Sequence, residues 1–288
     1  MTDRTIAVFG ATGTSAGQAA RKFIEAGWRV RAATRDPGSE KAQALARLGA
    51  IVTAADLDDR ATIRAAIEGS DAVYLAGPSL GNRWDIGQAV QGINVADAAA
   101  EVGIGHFIYQ SALAGNARGV LSVGSKRAIE ERIAELGLPA TITRPSLFMD
   151  NFLTYFPPQR DGDGLTIAMA LPPDKPQGLV SAEDIGRAAA AVAGDPAAYI
   201  GREIDLIADT LSFQQMADVI GDVSGLPTRA ATVPLPALEE HWPQGVGLYR
   251  WLSTRDDKDD DARALSRLVG APIDFRDWAV RHLAPILR

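Results

Sequence analysis

The segment Gly10-Ala11-Thr12-Gly13-Thr14-Ser15-Ala16-Gly17 lies between the apolar run Ile6-Ala7-Val8-Phe9 and a stripe of Ala16, Ala19, Ala20, Phe23 and Ile24 at helical spacing. A strand, a glycine loop and a helix in that order hold the pyrophosphate of a dinucleotide. Glycine at 10 and 13 permits the tight turn and the approach of backbone to phosphate, and Ala16 fills the third position, which tolerates alanine. The helix then aims its first N–H groups at the anion. Gly10, Thr12, Gly13, Thr14, Ser15 and Ala16 are the candidate contacts. The alternative is a plain glycine turn, for which the flanking strand and helix would be incidental.

A second strand, Arg29 to Ala33, runs out into Thr34-Arg35-Asp36-Pro37. About 20 residues after the loop a Rossmann unit that binds NAD carries an acidic residue for the ribose hydroxyls. Thr34 takes that place here and Arg35 follows it. A guanidinium can fork onto the 2′-phosphate of NADP, so the pair selects NADP(H) over NAD(H). Otherwise Arg35 is a solvated charge at a strand end, with Asp36 as its partner or a helix cap.

The 288 residues suffice for one large α/β unit and a smaller lobe. No apolar run has the length of a membrane span and the chain opens directly on its first strand, so the expectation is a cytoplasmic protein. The absence of cysteine excludes disulfides and thiolate chemistry. A net charge of −7 argues against nucleic acid as a partner. His106, His241 and His282 have no metal-ligand spacing and are read as packing or surface residues.

Strands are expected at Thr5 to Phe9, Arg29 to Ala33, Ile51 to Ala54, Ala72 to Leu75, His106 to Tyr109 and Ala140 to Thr143, with helical stripes between them. Such alternation implies a Rossmann-type, doubly wound parallel sheet covered on both faces. The loops after the strands then form the cofactor crevice: Ala76-Gly77-Pro78, Ser111-Ala112-Leu113 and Pro145-Ser146-Leu147. Asp56-Leu57, after the third strand, either edges the adenine or begins the next helix with Asp56 as its cap. Residues 1–150 are assigned to the dinucleotide-binding domain, with 178–209 returning to it. Residues 151–177, rich in proline and glycine and expected to be irregular, join the mostly helical 210–288 in a smaller substrate-side lobe. Ser181 and Asp184 are spaced as a capping pair for a helix to Ala193, Glu203 to Ile207 reads as a strand, and Asp256 to Asp261 as a solvated helix start.

The Gly-Ala-Thr-Gly loop, Thr34 to Pro37, His106-Phe107-Ile108-Tyr109-Gln110-Ser111, Thr143 to Phe152, Val180 to Gly186 and Phe275-Arg276-Asp277-Trp278 together resemble the NmrA-like branch of the short-chain dehydrogenase/reductase superfamily, nearly end to end. The resemblance implies a two-lobed NADP(H)-binding protein. Its relatives include NADPH-dependent reductases of quinones and dyes, and regulators that bind the dinucleotide without turnover. The wider superfamily uses a serine, a tyrosine and a lysine, the last two four residues apart on one helix. On that pattern Ser111 and Lys126 match the serine and the lysine, whereas Ser122 stands in the tyrosine's place. A serine hydroxyl is a poor general acid, so tyrosine-type carbonyl reduction is not expected.

Lys126 heads a helical face continued by Ile129, Ile133 and Leu136. A lysine there either contacts the cofactor or lays its stem on the apolar stripe and snorkels to water. Ser111 either faces the cofactor or bonds local backbone. Phe148, Asn151, Phe152 and Tyr155 are candidates for the substrate wall, with Phe148 also beside the cofactor. Two functions follow. One is an oxidoreductase passing hydride from NADPH to a conjugated small-molecule acceptor; the other is a redox sensor in which NADP(H) occupancy alters a protein interface. Either is compatible with a homo-oligomer.

Overall fold

A computed structural model describes residues 4–77, 86–113, 120–255 and 261–287. The chain runs β1 (Thr5–Phe9), α1 (Thr14–Glu25), β2 (Arg29–Thr34), α2 (Glu40–Arg47), β3 (Ile51–Ala54), α3 (Arg60–Ile67), β4 (Ala72–Ala76), α4 (Ile86–Val102), β5 (His106–Gln110), α5 (Leu121–Glu135) and β6 (Ala140–Pro145). After β7 (Leu147–Phe148) and a 3-10 turn at Met149–Leu153 come β8 (Gln159–Asp161), β9 (Gly164–Met169), β10 (Pro176–Val180), α6 (Ala182–Gly194), α7 (Pro196–Tyr199), β11 (Glu203–Leu206) and β12 (Asp209–Ser212). The remainder is α8 (Phe213–Ser224), β13 (Thr228–Thr232), α9 (Leu235–His241), α10 (Pro243–Thr254), α11 (Ala264–Val269), α12 (Phe275–His282) and α13 (Ala284–Leu287).

Seven parallel strands form the main sheet in the order β11-β6-β5-β4-β1-β2-β3. The six strands expected from the alternating pattern are all in it, with ends shifted by two residues at most. Both faces are covered, as near-continuous burial of β1, β4, β5 and β6 requires. On one face Ala16, Ala19, Ala20 and Phe23 of α1 pack with Ile185, Ala188, Ala189 and Val192 of α6. On the other, Ile63 of α3, Val95 and Ala99 of α4, and Ile129 and Ile133 of α5 meet Phe9, Leu75, Phe107 and Tyr109. Chain order along the sheet reverses between β1 and β4, and a crevice therefore opens at their C-terminal ends.

The segment expected to be irregular after Asn151 instead holds strands. β8 and β9 form a hairpin extended by β13, and β10 joins β7 and β12 in a second small sheet. The prolines Pro157, Pro158, Pro172 and Pro173 fall between these strands, so the punctuation was real, while β9 and β10 are completed by β13 and β12, which lie far along the chain. These sheets and α8, α12 and α13 surround a separate apolar core centred on Phe152, Phe213, Phe275 and Trp278. Ser181 caps α6 as its spacing predicts, accepting from the Asp184 N–H at 3.0 Å. The Asp184 carboxylate is engaged elsewhere, by Arg187 at 2.6 Å and by the Ile273 N–H at 2.7 Å.

Candidate functional site

At the end of β1 the backbone turns through Gly10 at φ +82°, a conformation that favours glycine. A Cβ on Gly10 would lie 3.1 Å from the Ala76 carbonyl oxygen, so the turn nests against the end of β4. Gly13 closes it, its N–H donating to the Gly10 carbonyl at 2.8 Å, and a Cβ there would meet the same oxygen at 3.1 Å. Gly13 is also the N-cap of α1 and has no side chain to satisfy the first N–H groups of that helix. Thr14 is exposed, Thr12 half-buried, and Ser15 and Ala16 buried beneath them. A bare helix N-terminus and a loop without Cβ obstruction fit the pyrophosphate of a dinucleotide.

Arg35 is exposed just beyond β2 and has no ion-pair or hydrogen-bond partner among the described residues. Asp36 does not pair with it; its Oδ1 accepts from the Gly38 N–H at 3.0 Å and its own N–H reaches the Thr34 hydroxyl at 3.3 Å. Asp36 thus shapes the turn and leaves the guanidinium available. Asp56 is likewise a turn residue, accepting from the Asp58 N–H, and the N-cap of α3 is Asp59. The cap reading of Asp56 is corrected accordingly. Leu57 is half-buried, its carbonyl accepting from Asn94 on α4 at 2.9 Å.

Lys126 lies on the face of α5 that its spacing predicts, with Ile129 and Ile133 buried and Leu136 packed against them. A Cβ at Gly77 would sit 3.3 Å from its Nζ and 3.4 Å from Gln88 Nε2, so the ammonium reaches the end of β4, beside the glycine loop. Burial pushes the ammonium down to about 8, while Glu130 on the same helix acts in the opposite direction. Ser111 follows β5, its N–H donating to the Thr143 carbonyl at 2.8 Å. Its hydroxyl is buried with no partner among the described residues and is not spent on local backbone. Gln88, bonded to Ser125 at 2.8 Å, was not anticipated as a neighbour of the lysine, and nothing in the sequence sets it apart from Gln91 and Asn94 on the same helix. Pro78 and the side chain of Ser122 lie outside the described residues.

Pro145 ends β6 opposite Leu206 of β11, and Phe148 is half-buried against the α1 and α6 core. Asn151 turns the chain, its carbonyl accepting from the N–H groups of Tyr155 and Phe156 at 2.9 and 3.1 Å. Phe152 is not an open wall: it is fully buried, with its ring centroid 5.0 Å from that of Phe156 and 5.2 Å from that of Phe275. Helical spacing could not reveal that its side chain points into the second core. Tyr155 is 64% exposed. On α10, Leu248 and Trp251 pack on Val120 and Val123 at the start of α5.

A model of the NmrA-like family matches residues 2–253. The chain belongs to the NmrA-like family. Over 290 residues it is 27% identical to (4-alkanoyl-5-oxo-2,5-dihydrofuran-3-yl)methyl phosphate reductase of Streptomyces griseus subsp. griseus, covering 96% of this chain and 97% of the relative. The fold matches that of NmrA, a negative transcriptional regulator, in complex with NAD, at a TM-score of 0.83 and 22% identity over 99% and 97% of the two chains. It also matches the NADPH-dependent quinone oxidoreductase QOR2 of Escherichia coli, in complex with NADPH, at a TM-score of 0.79 and 24% identity over 97% and 99%. The architecture of this NmrA-like chain is accordingly that of a Rossmann protein. Among its described residues no helix is long and apolar enough to cross a membrane, and no cluster of three metal-ligating side chains occurs.

Proposed function

We infer that this NmrA-like protein is an NADP(H)-dependent oxidoreductase acting on a conjugated small-molecule acceptor of the quinone, enone or dye type. The observation that carries the cofactor choice is the exposed Arg35 beside Thr34, without a partner among the described residues, where NAD-binding units place a carboxylate. The bound dinucleotide supplies hydride. The Gly10 to Ala16 loop and the bare N-terminus of α1 hold its pyrophosphate, Arg35 pairs with the 2′-phosphate, and Lys126 offers its N–H donors at the ribose side of the crevice.

No tyrosine stands four residues before Lys126. Tyr74 and Tyr109 are fully buried and burial raises both hydroxyls, so neither replaces it as an acid. An acceptor that spreads the arriving charge over a conjugated system and takes its proton from water dispenses with that acid. What remains for the chain is orientation, the role we assign to Phe148, Asn151 and Tyr155, with Leu248 and Trp251 beyond the start of α5. The Streptomyces relative is named for reducing an unsaturated 5-oxo-2,5-dihydrofuran, which is an acceptor of that kind. The regulator among the structural relatives favours a second reading, an NADP(H)-binding sensor that acts through a protein partner.

The test has two arms. In titration calorimetry, Arg35→Ala should weaken NADPH roughly tenfold to a hundredfold, matching the roughly 1.5 to 3 kcal/mol of a charged hydrogen bond, and leave NADH almost unchanged. Equal losses for both cofactors would refute the Arg35 assignment. In single-turnover oxidation of C4-deuterated NADPH, quinones and extended enones should outpace simple ketones. Faster ketone reduction overturns the acid-free reaction, and no hydride transfer to any acceptor, together with unequal binding of NADPH and NADP⁺, decides for the sensor.

A further inference from the structure

Lys126 and Glu130 are one turn apart on α5. The Glu130 carboxylate is gripped from β6 by Arg144, Nε to Oε1 at 3.3 Å and NH2 to Oε2 at 2.8 Å, and the two side chains are only 13% and 8% exposed. The remaining guanidinium nitrogen reaches Glu203 on β11 at 2.7 Å, at the solvent edge. One strand residue after Arg144, β6 ends at Pro145 on the rim of the crevice. The buried pair therefore joins the helix that carries the lysine to the strand that borders the proposed cofactor.

The other surroundings of the lysine offer little charge. β4 and α4 present Gly77 and Gln88; Gln91 of α4 is bonded to Asp58 at 2.9 Å, and Asp97, further along α4, is taken by Arg132 and Arg60. On β5, Tyr109 has a buried hydroxyl without a partner among the described residues and lies in the field of Glu130. Arg127 is paired with Glu131 at 2.9 Å. On α10, which packs on the start of α5, Arg250 is exposed, and Arg255, just past its end, lies over Trp251. Among the described residues Glu130 is thus the acidic group set to act on a lysine that reaches the end of β4.

We propose that Glu130, clamped by Arg144, is a positioning residue that keeps the Lys126 ammonium charged at the cofactor crevice, with Arg144 setting how much of the Glu130 charge the lysine feels. The proposal rests on the cofactor-side reading of Lys126. Its two members act with opposite sign. Glu130→Gln keeps the shape and removes the anion, so Lys126 gives up its proton more readily. Arg144→Met removes the neutralising cation, so the bare carboxylate holds the proton on Lys126 more firmly. A pair that only supported the fold would shift the lysine in one direction or not at all.

The experiment is NMR titration of the unliganded full chain labelled with 13Cε-lysine, the Lys126 signal being identified by its loss in Lys126→Met. Proton affinity should fall roughly tenfold in Glu130→Gln and rise in Arg144→Met. Arg144→Met leaves a carboxylate buried alone and can fail to fold; the double variant Glu130→Gln/Arg144→Met lacks that defect and, having lost the repelling guanidinium as well as the anion, should hold the Lys126 proton more firmly than Glu130→Gln does. An unchanged lysine in Glu130→Gln, or displacement of both single variants in the same direction, overturns the proposal. NADPH affinity measured across the same pH range should follow the lysine. If it ignores these displacements, the cofactor-side reading of Lys126 fails, while the lysine titration still decides the role of Glu130.

Discussion

At His106 two hydrogen bonds fix the tautomer and burial fixes the protonation state. Its Nε2 lies 2.8 Å from the Thr141 hydroxyl, which spends its one proton on the Tyr199 carbonyl at 2.7 Å. Thr141 therefore accepts, Nε2 carries the hydrogen, and Nδ1 is a buried lone pair without a partner among the described residues. Burial pushes the imidazole down to about 4. Above pH of about 6.5 the folded and unfolded states are both neutral and the group contributes nothing to pH dependence. Below that value the unfolded chain takes up the proton and the native state does not, so stability declines as pH falls toward about 4. His106→Gln offers a donor to Thr141 and cannot titrate. In urea unfolding its loss of stability between neutral pH and about pH 5 should be about 2 kcal/mol smaller than that of the parent. Parallel losses in the two proteins would show that His106 is protonated in the native state.

Between elements, the approach of α6 to α1 is the tightest constraint on the site. A Cβ on Gly186 would lie 2.8 Å from the Gln18 carbonyl carbon, 2.9 Å from its oxygen and 3.0 Å from the Ala19 nitrogen, all backbone atoms with no rotamer to yield. The helices must separate to admit it, and α1 carries the bare N-terminus beside Gly13. Gly186→Ala should cost about 1 to 3 kcal/mol of stability and weaken NADPH as well. Gly194→Ala, at the last residue of the same helix with nothing within 4 Å, should be neutral or slightly stabilising. Thermal melts and cofactor titration of the two variants make the comparison, and equal behaviour would show that the contact is not limiting. The capping pair seen in the sequence belongs to this scale too. Ser181 was legible as a cap, whereas Asp184 serves the tail, because local spacing cannot reveal a partner 89 residues away.

Over the whole molecule the chain passes repeatedly between its two cores. β11 returns to the edge of the main sheet, and the N–H of Phe275 donates to Asp209 at 3.0 Å. Arg187 on α6 binds the carbonyls of Val269 and Ala271 at 2.6 and 3.0 Å, and Asp184, fully buried, binds Ile273. Opening either core leaves the fully buried Asp184 without the Ile273 N–H, a cost of about 1 to 3 kcal/mol, to which the half-buried Arg187 and Asp209 contacts add less. Urea unfolding should therefore be a single transition. Trp28 reports on the sheet and Trp278 on the second core, so in each variant retaining one or the other as the only tryptophan the fluorescence midpoint should coincide with the circular-dichroism midpoint of that same variant. Two separated midpoints would mean that the lobes unfold independently.

By itself the sequence determined whatever depends on short-range pattern. It determined the strand–glycine–helix unit at Gly10, the six parallel strands, the Lys126 face of α5 and the position of Arg35, because periodicity and turn chemistry act over a few residues. Only the tertiary structure decided what each side chain meets. It buried Phe152 in the second core, paired the strands of the proline-rich segment with β7, β12 and β13, and set Arg144 against Glu130. Those outcomes depend on contacts between residues far apart in the chain, for which neither spacing nor composition carries a signal.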